Sequence, residues 1–310
     1  MLAPQAARPV DVLGVGECSL DTWLEVEALP APGGKAAVSD WRELPGGQVA
    51  TATLAAARLG LRTAYAGVVG DDPAAERVLA PLRAASVDCS RVRVAPGART
   101  RAAVIVVERA SGERAVLGYR DPRLAAHAAA LATLALDEAR LLLLDGVDFA
   151  LALRLACAAR ACGVPVVLDL DAASAEAEEL LACVDFPVVS QGFAERAYGA
   201  PEAALARLAA LGARLPVVTC GAGGALAWWQ GRVLASPALA VEVVDTTGAG
   251  DAFHGAFAWG LLQGLDAAAL LRAANGAAAL ACTGRGAQGA LPDPGRLEAF
   301  LGGRRAYSSS

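Results

Sequence analysis

Asp251 closes the run Val243-Val244-Asp245-Thr246-Thr247-Gly248-Ala249-Gly250-Asp251, and residues 252–262 after it are rich in Ala, Phe, Trp and Leu. The pattern predicts an apolar strand, a glycine-containing turn and a buried helix. Small residues at such a turn let backbone N–H groups converge at a helix N-terminus, where unpaired donors and the helix dipole favour an anion. A carboxylate in the first helical turn then stands beside that anion, where a base removing the proton of an attacking hydroxyl is needed. The same residues also describe an ordinary glycine turn with Asp251 as a helix cap. The segment alone leaves both readings open. No GxxxxGK[ST] loop occurs, and no GxGxxG follows the first apolar run.

The elements that would position these residues follow a simple rhythm. Short apolar runs at residues 10–16, 141–144, 164–168, 188–189 and 216–219 alternate with Ala/Leu-rich stretches of helical period at 150–161, 174–183 and 202–211. Strand, helix and strand with short connections imply right-handed crossovers and a largely parallel sheet covered on both faces. Residues 35–44 and 100–117 instead alternate apolar and polar types, with a turn expected at Ala110-Ser111-Gly112-Glu113. They read as a small antiparallel sheet appended to the main body. Nothing divides the chain otherwise, so residues 1–310 read as one unit, with 302–310 as a frayed tail.

The run 245–251 resembles the DTxGAGD signature of the ribokinase-like (PfkB) carbohydrate kinases, and the resemblance extends along the chain. Gly16-Glu17-Cys18-Ser19-Leu20-Asp21 is similar to the end of the family's first strand, with Asp21 at the position that binds sugar hydroxyls. Leu44-Pro45-Gly46-Gly47-Gln48-Val49-Ala50-Thr51, running into residues 55–60, is similar to the family's first signature. Gly67-Val68-Val69-Gly70-Asp71-Asp72 resembles the G-x-x-G-x-D that follows it. Val218-Thr219-Cys220-Gly221-Ala222-Gly223-Gly224 resembles the nucleotide-binding V-T-x-G-x-x-G.

The resemblance implies a role for each matching residue. Asp251 would be the catalytic base, and the backbone of Gly248, Ala249 and Gly250 the anion hole. Asp21, Gly46, Gly47, Gln48 and Thr51 would bind the acceptor; Ser190, Thr219, Gly221, Gly224 and Asn275 would line the ATP site. Asp245 and Thr247 match the start of a monovalent-cation site.

Four segments of the middle, Leu144-Asp145-Gly146, Asp169-Leu170-Asp171, residues 189–194 and Ala110-Ser111-Gly112-Glu113-Arg114, are similar to the ketohexokinase branch. That match puts Arg114 on the lid, reaching toward substrate or phosphates; a solvated arginine at a hairpin end is the alternative. Two departures stand out. Ser190-Gln191-Gly192-Phe193 lacks the family's Asn-x-x-Glu, which leaves Asp145, Asp169 and Asp171 to hold magnesium. The family's asparagines near Thr51 and, among ketohexokinases, at Gln48 are absent. Since an unpaired buried polar group costs ~1–3 kcal/mol, the sugar hydroxyls recognised must differ and fructose does not follow.

The resemblance thus implies a three-layer α/β/α sandwich with a β-sheet lid from residues 34–46 and 99–119. It further implies sugar bound between body and lid, ATP with Mg2+ in the adjoining groove, K+ beside the anion hole, and a homodimer formed through the lid. The expected activity is ATP-dependent phosphorylation of a primary hydroxyl of a ketose or related sugar. A nucleoside kinase, with Trp23 or Trp41 stacking a base, and a silent nucleotide-binding regulatory protein are the competing readings.

Composition supports a packed enzyme and excludes other classes. The 27 Lys and Arg against 32 Asp and Glu give a net charge of −5, unlike the basic surface a nucleic-acid binder needs. At 55% hydrophobic and 19% charged residues the chain can bury a large core. The longest apolar stretch, residues 124–136, contains His127 and is too short to span a bilayer, and the N-terminus lacks a secretory pattern, so a soluble cytoplasmic protein is expected. Seven cysteines include no CxxC pair and read as free thiols mostly packed in the core. His254 and Trp228-Trp229 read as packing.

Overall fold

A computed structural model describes residues 8–111, 113–172 and 176–303. Gly112 of the expected turn, the first residues of the 174–183 helix and the 304–310 part of the tail lie outside the described residues. The first half of the chain forms β1 (Val10–Val15), β2 (Ser19–Val26), β3 (Val38–Gly46), α1 (Gln48–Arg58), β4 (Thr63–Ala66), β5 (Val68–Gly70) and α2 (Pro73–Ala84). After these come β6 (Arg93–Ala95), β7 (Ala102–Glu108), β8 (Arg114–Tyr119) and α3 (Pro122–Ala128). The second half alternates more strictly: β9 (Ala139–Asp145), α4 (Phe149–Ala161), β10 (Val166–Leu170), α5 (Ala177–Leu181), β11 (Phe186–Ser190), α6 (Gln191–Tyr198) and α7 (Pro201–Ala210). It ends with β12 (Val217–Thr219), β13 (Ala225–Trp229), β14 (Arg232–Ser236), α8 (Ala249–Leu262), α9 (Ala267–Ala281) and α10 (Pro294–Gly303).

Eight strands form the main sheet in the order β14-β13-β12-β11-β10-β9-β1-β4. All neighbours pair in parallel except β13, which is antiparallel to β12 and β14. Because side chains alternate along a strand, each face of the sheet buries its own set. Leu142, Leu144 and Leu168 pack with Leu155 of α4, Leu180 of α5, Phe193 of α6 and Leu205 of α7. Leu141, Leu143 and Val188 pack on the other side with Phe253 and Phe257 of α8 and Leu270 of α9. The architecture is a three-layer α/β/α sandwich.

Strand order reverses between β1 and β9, since β1 leads through α1 to β4 on one side while β9, β10 and β11 add on the other. Open α/β sheets bind ligands at such a switch point, beyond the carboxyl ends of the strands. Gly16 and Asp145 stand there.

A second sheet has the order β3-β2-β7-β8. It contains β3, β7 and β8 from the two segments predicted to alternate, and also β2, which continues the first motif; β2 pairs in parallel with β7, so the sheet is mixed and not purely antiparallel as expected. Only three residues separate β1 from β2, so no loop signal divides the two. Its Trp23 forms a small core with Ala103, Ile105 and Val107 of β7.

Two other expectations are corrected. Val243 and Val244 are not a strand: the amides of Val244 and Asp245 donate to the carbonyl of Cys282, just past α9, instead of to a sheet neighbour. The cysteines are not mainly core residues either, since Cys18 is buried while Cys157 and Cys162 are exposed and the other four lie between. No described helix is long and apolar enough to cross a membrane.

Candidate functional site

The turn before α8 has the shape its residues dictate. Gly248 is the helix N-cap with φ of 79°, and a Cβ there would come within 2.5 Å of Ala287 backbone atoms. Only glycine meets both demands. Gly250 faces open space, with nothing within 4 Å of where a Cβ would stand. The Ala249 amide donates to the Thr246 carbonyl at 3.3 Å, which takes it partly out of the expected anion hole. The amides of Gly250 and Asp251, in the first helical turn, have no intrahelical acceptor by position.

Asp251 is half-buried on that first turn. Burial first, and the nearby Asp169 second, push its carboxyl up to about 8; His254 and Arg114 oppose the shift. His254 sits one turn on, with Nδ1 2.7 Å from the Gly250 carbonyl and Nε2 3.3 Å from that of Val188. Its Nε2 is also 3.6 Å from Asp169. Burial lowers its pKa, against the two carbonyls and the neighbouring Asp251, which favour the protonated ring.

α1 brings the acceptor-side residues to the same place. Gly47, with φ of 94°, caps α1 where a Cβ would stand 2.4 Å from the Cys18 backbone. Gly46 lies against Asp21, whose Oδ2 would be 2.2 Å from an added Cβ. Asp21 Oδ1 and Ser19 Oγ are buried with no hydrogen-bond partner, and burial raises the Asp21 carboxyl. Gln48 donates its amide to Asp169 at 3.3 Å and to Asp171 at 3.4 Å. Thr51 is fully buried and accepts from Gln288 at 3.3 Å.

Two hydrogen bonds tie the small sheet to the turn. Arg114 Nη1 donates to Thr246 Oγ1 at 2.7 Å, so this exposed arginine at the hairpin end is directed at the turn before α8. Trp23 Nε1 donates to Asp245 Oδ2, also at 2.7 Å.

Asp245 is fully buried and its carboxylate further accepts from the amides of Thr247 at 2.8 Å and Gly286 at 2.7 Å. Those three N–H donors hold the carboxylate in place and leave one lone pair of Oδ1 open. Thr247 Oγ1 is buried without a partner, so both residues retain an oxygen that fits a cation.

On the nucleotide side, β12 runs into a turn in which Gly221 and Gly224 have φ of 54° and 89°. A Cβ on Gly224 would stand 2.2 Å from the Ser236 carbonyl. Thr219 Oγ1 bonds the Val189 carbonyl at 3.4 Å. Two expected ATP ligands have structural partners: Ser190 caps α6, accepting from the Phe193 amide at 3.1 Å. Asn275 Nδ2 donates to the Ser236 carbonyl and hydroxyl and to the Pro237 carbonyl at 2.9–3.3 Å.

The switch point holds residues that sequence reasoning missed. Glu17, Arg101 and Arg120 line a cleft with Gly16 and Asp145. Burial, then Asp145, pushes Glu17 up to about 8, although Arg101 stands 2.8 Å away; Asp145 is pushed up to about 6, by burial first. Asp145 accepts from the amides of Glu17 at 2.8 Å and Val147 at 3.1 Å. The signal available was positional, a carboxylate directly after β1 and another closing β9. Asp169 is also raised well above its ordinary value, by burial and by Asp171. Glu17 and Asp145, perturbed together at one cleft, make it a functional-site candidate.

A family model described as "pfkB family carbohydrate kinase" matches residues 11–294 of this chain. The chain belongs to the pfkB family of carbohydrate kinases. As such it is a phosphotransferase acting on a sugar hydroxyl. This kinase is 28% identical to the ribokinase of Bacillus subtilis over 93% of the chain and 98% of the relative. It is 30% identical to an ATP-dependent ribose-1-phosphate kinase of Halopiger xanaduensis over 95% and 99%. The crystal structure of Arabidopsis thaliana ribokinase complexed with ribose and ATP superposes with a TM-score of 0.78 at 25% identity, covering 94% of this chain and 98% of that one.

Proposed function

We propose that this kinase transfers the γ-phosphate of ATP to a primary hydroxyl of a small carbohydrate, a ketose or related sugar, with Asp251 as general base. The observation that carries the reading is the Asp251 carboxyl, pushed up to about 8 on the first turn of α8, beside open space at Gly250. A base with a pKa near working pH is at its most effective, and the helix N-terminus supplies donors for the transferring phosphoryl group. The unpaired Asp21 Oδ1 and Ser19 Oγ, beside Gly46, suit the hydroxyls of a polyol. Arg114 stands where it can stabilise charge on the phosphates, and the small sheet is read as the lid that excludes water.

Among the described residues no group of three or more His, Cys, Asp or Glu is arranged to hold a metal. Magnesium needs no such cage, because it is held by one or two carboxylates together with substrate phosphates and water. Asp169 and Asp171, steadied by Gln48, fit that task; bound magnesium would neutralise charge on the phosphate oxygens. Potassium would be held by Thr247 Oγ1 and the open Oδ1 lone pair of Asp245, whose three N–H donors fix the carboxylate in position. The apolar side chains exposed on the small sheet, Trp41 at 71% and Leu117 at 67% among them, support a homodimer formed through it. Trp23, buried and bonded to Asp245, is not available to stack a nucleoside base.

The test is ADP release from Mg-ATP by wild type and Asp251→Asn over ketoses, aldoses, sugar acids, phosphosugars and nucleosides, with and without potassium. Turnover on a sugar that falls ~10² to 10⁴-fold in the variant, with ATP affinity little changed, is the expected result. An active Asp251→Asn would remove Asp251 from the chemistry. Turnover confined to nucleosides would replace the sugar, and ATP binding without turnover would favour a regulatory protein.

A further inference from the structure

Two sulfur atoms meet on the face of the main sheet opposite α8. Cys157 on α4 is exposed, Cys183 follows α5 and is half-buried, and their Sγ atoms lie 2.6 Å apart. The fold, not the local sequence, brings them together, since they are 26 positions apart. Arg160, one helical turn after Cys157, donates Nη1 to the carbonyl of Ala182 at 2.6 Å, so its guanidinium stands beside the pair. Cys157 is the more accessible of the two sulfurs, so a peroxide reaches it first, with Cys183 already within reach to resolve the product. Cys162, exposed at the end of the same helix, donates to the Ala159 carbonyl at 3.4 Å.

We propose that Cys157 and Cys183 form a reversible oxidation site that hydroperoxides convert to a disulfide joining α4 to the segment before β11. Cys157 attacks a peroxide oxygen, the O–O bond breaks, and an alcohol or water leaves as the sulfur becomes sulfenic acid. Cys183 then attacks that sulfur: the S–S bond forms, the S–O bond breaks, and water departs with the Cys183 proton. Two electrons pass from the two thiols to one peroxide. The closed ring contains β10, with Asp169 at its end, so oxidation ties down the crossover beneath the cleft without touching the site. Closing a loop of this size stabilises mainly by restricting the unfolded chain.

The experiment treats the full-length protein with hydrogen peroxide, counts free thiols, maps disulfide-linked peptides and measures the thermal midpoint before and after dithiothreitol. Two of the seven thiols should disappear, in a Cys157–Cys183 peptide, with a midpoint rise of roughly 5–10 °C that dithiothreitol reverses. Cys157→Ser should abolish cross-link and rise, while Cys162→Ser should keep both. Because Cys157 is exposed, the reduced midpoint of Cys157→Ser should match wild type, which separates loss of the disulfide from misfolding. A cross-link that uses Cys162, thiol loss that persists in Cys157→Ser, or overoxidation of Cys157 without a cross-link would overturn the proposal.

Discussion

The turn at Gly248 and the small sheet sit side by side but are constructed differently. α8 is buried around most of its circumference, between the main sheet, α1 and α9. The small sheet has a core of Trp23, Ala103, Ile105 and Val107, and every residue of β8 is exposed. They are joined by two hydrogen bonds of the same 2.7 Å length, Trp23 to Asp245 in the buried core and Arg114 to Thr246 in solvent. Equal lengths do not mean equal weight. A buried carboxylate deprived of a donor bears a desolvation cost, whereas water replaces a lost partner at the surface. The first bond anchors the sheet; if the sheet is the proposed lid, the second is the one that opens for substrate.

Breaking the buried bond should have the largest effect on folding: Trp23→Phe is expected to cost ~1.5–3 kcal/mol in denaturant unfolding, because the buried Asp245 carboxylate loses one of its three N–H donors and keeps those of Thr247 and Gly286. Arg114→Gln should leave stability within about 0.5 kcal/mol of wild type but lower kcat/KM about tenfold or more. If Arg114→Gln unfolds as readily as Trp23→Phe, the contrast between the two bonds fails.

The pH dependence also separates the two regions. Burial pushes the folded Asp251 carboxyl up to about 8, above the ~3.9 of an unfolded aspartate. The folded state therefore binds this proton more tightly, giving stability that is whole below the unfolded pKa and lost as pH rises through the folded one. Asp251→Asn should melt with wild type near pH 4 and a few degrees above it at pH 9. A constant difference would remove Asp251 titration as the cause. Smallest of all, Trp41→Ser should shift stability by no more than about 0.5 kcal/mol, and in sedimentation it should weaken the proposed dimer.

The alternation of apolar runs and helical stretches made the sandwich legible, and Gly248 to Asp251 could be placed on a helix N-terminus from residue types alone. Four features were hidden for physical reasons. β2 lies in a motif whose polar residues look like loop. Val243 and Val244 look like strand until the carbonyl of Cys282 takes their backbone bonds. Arg101 and Arg120 reach Glu17 and Asp145 through pairing of strands distant in sequence, which no local pattern records. Asn275 and Ser190 matched nucleotide positions, and their side chains also hold a turn and cap a helix, additional uses that depend on what folds against them.

Gly255 has a consequence for how such an enzyme can change. A Cβ there would stand 2.4 Å from the Ala52 carbonyl of α1, so the backbones of α1 and α8 run in contact. The helix bearing the proposed acceptor residues and the helix bearing Asp251, the proposed base, thus keep a spacing set in the interior, like two jaws cut from one block. Under that proposal, side chains at Gln48 or Thr51 can be exchanged for others without moving Asp251. New acceptors can be tried while the reaction distance is inherited unchanged.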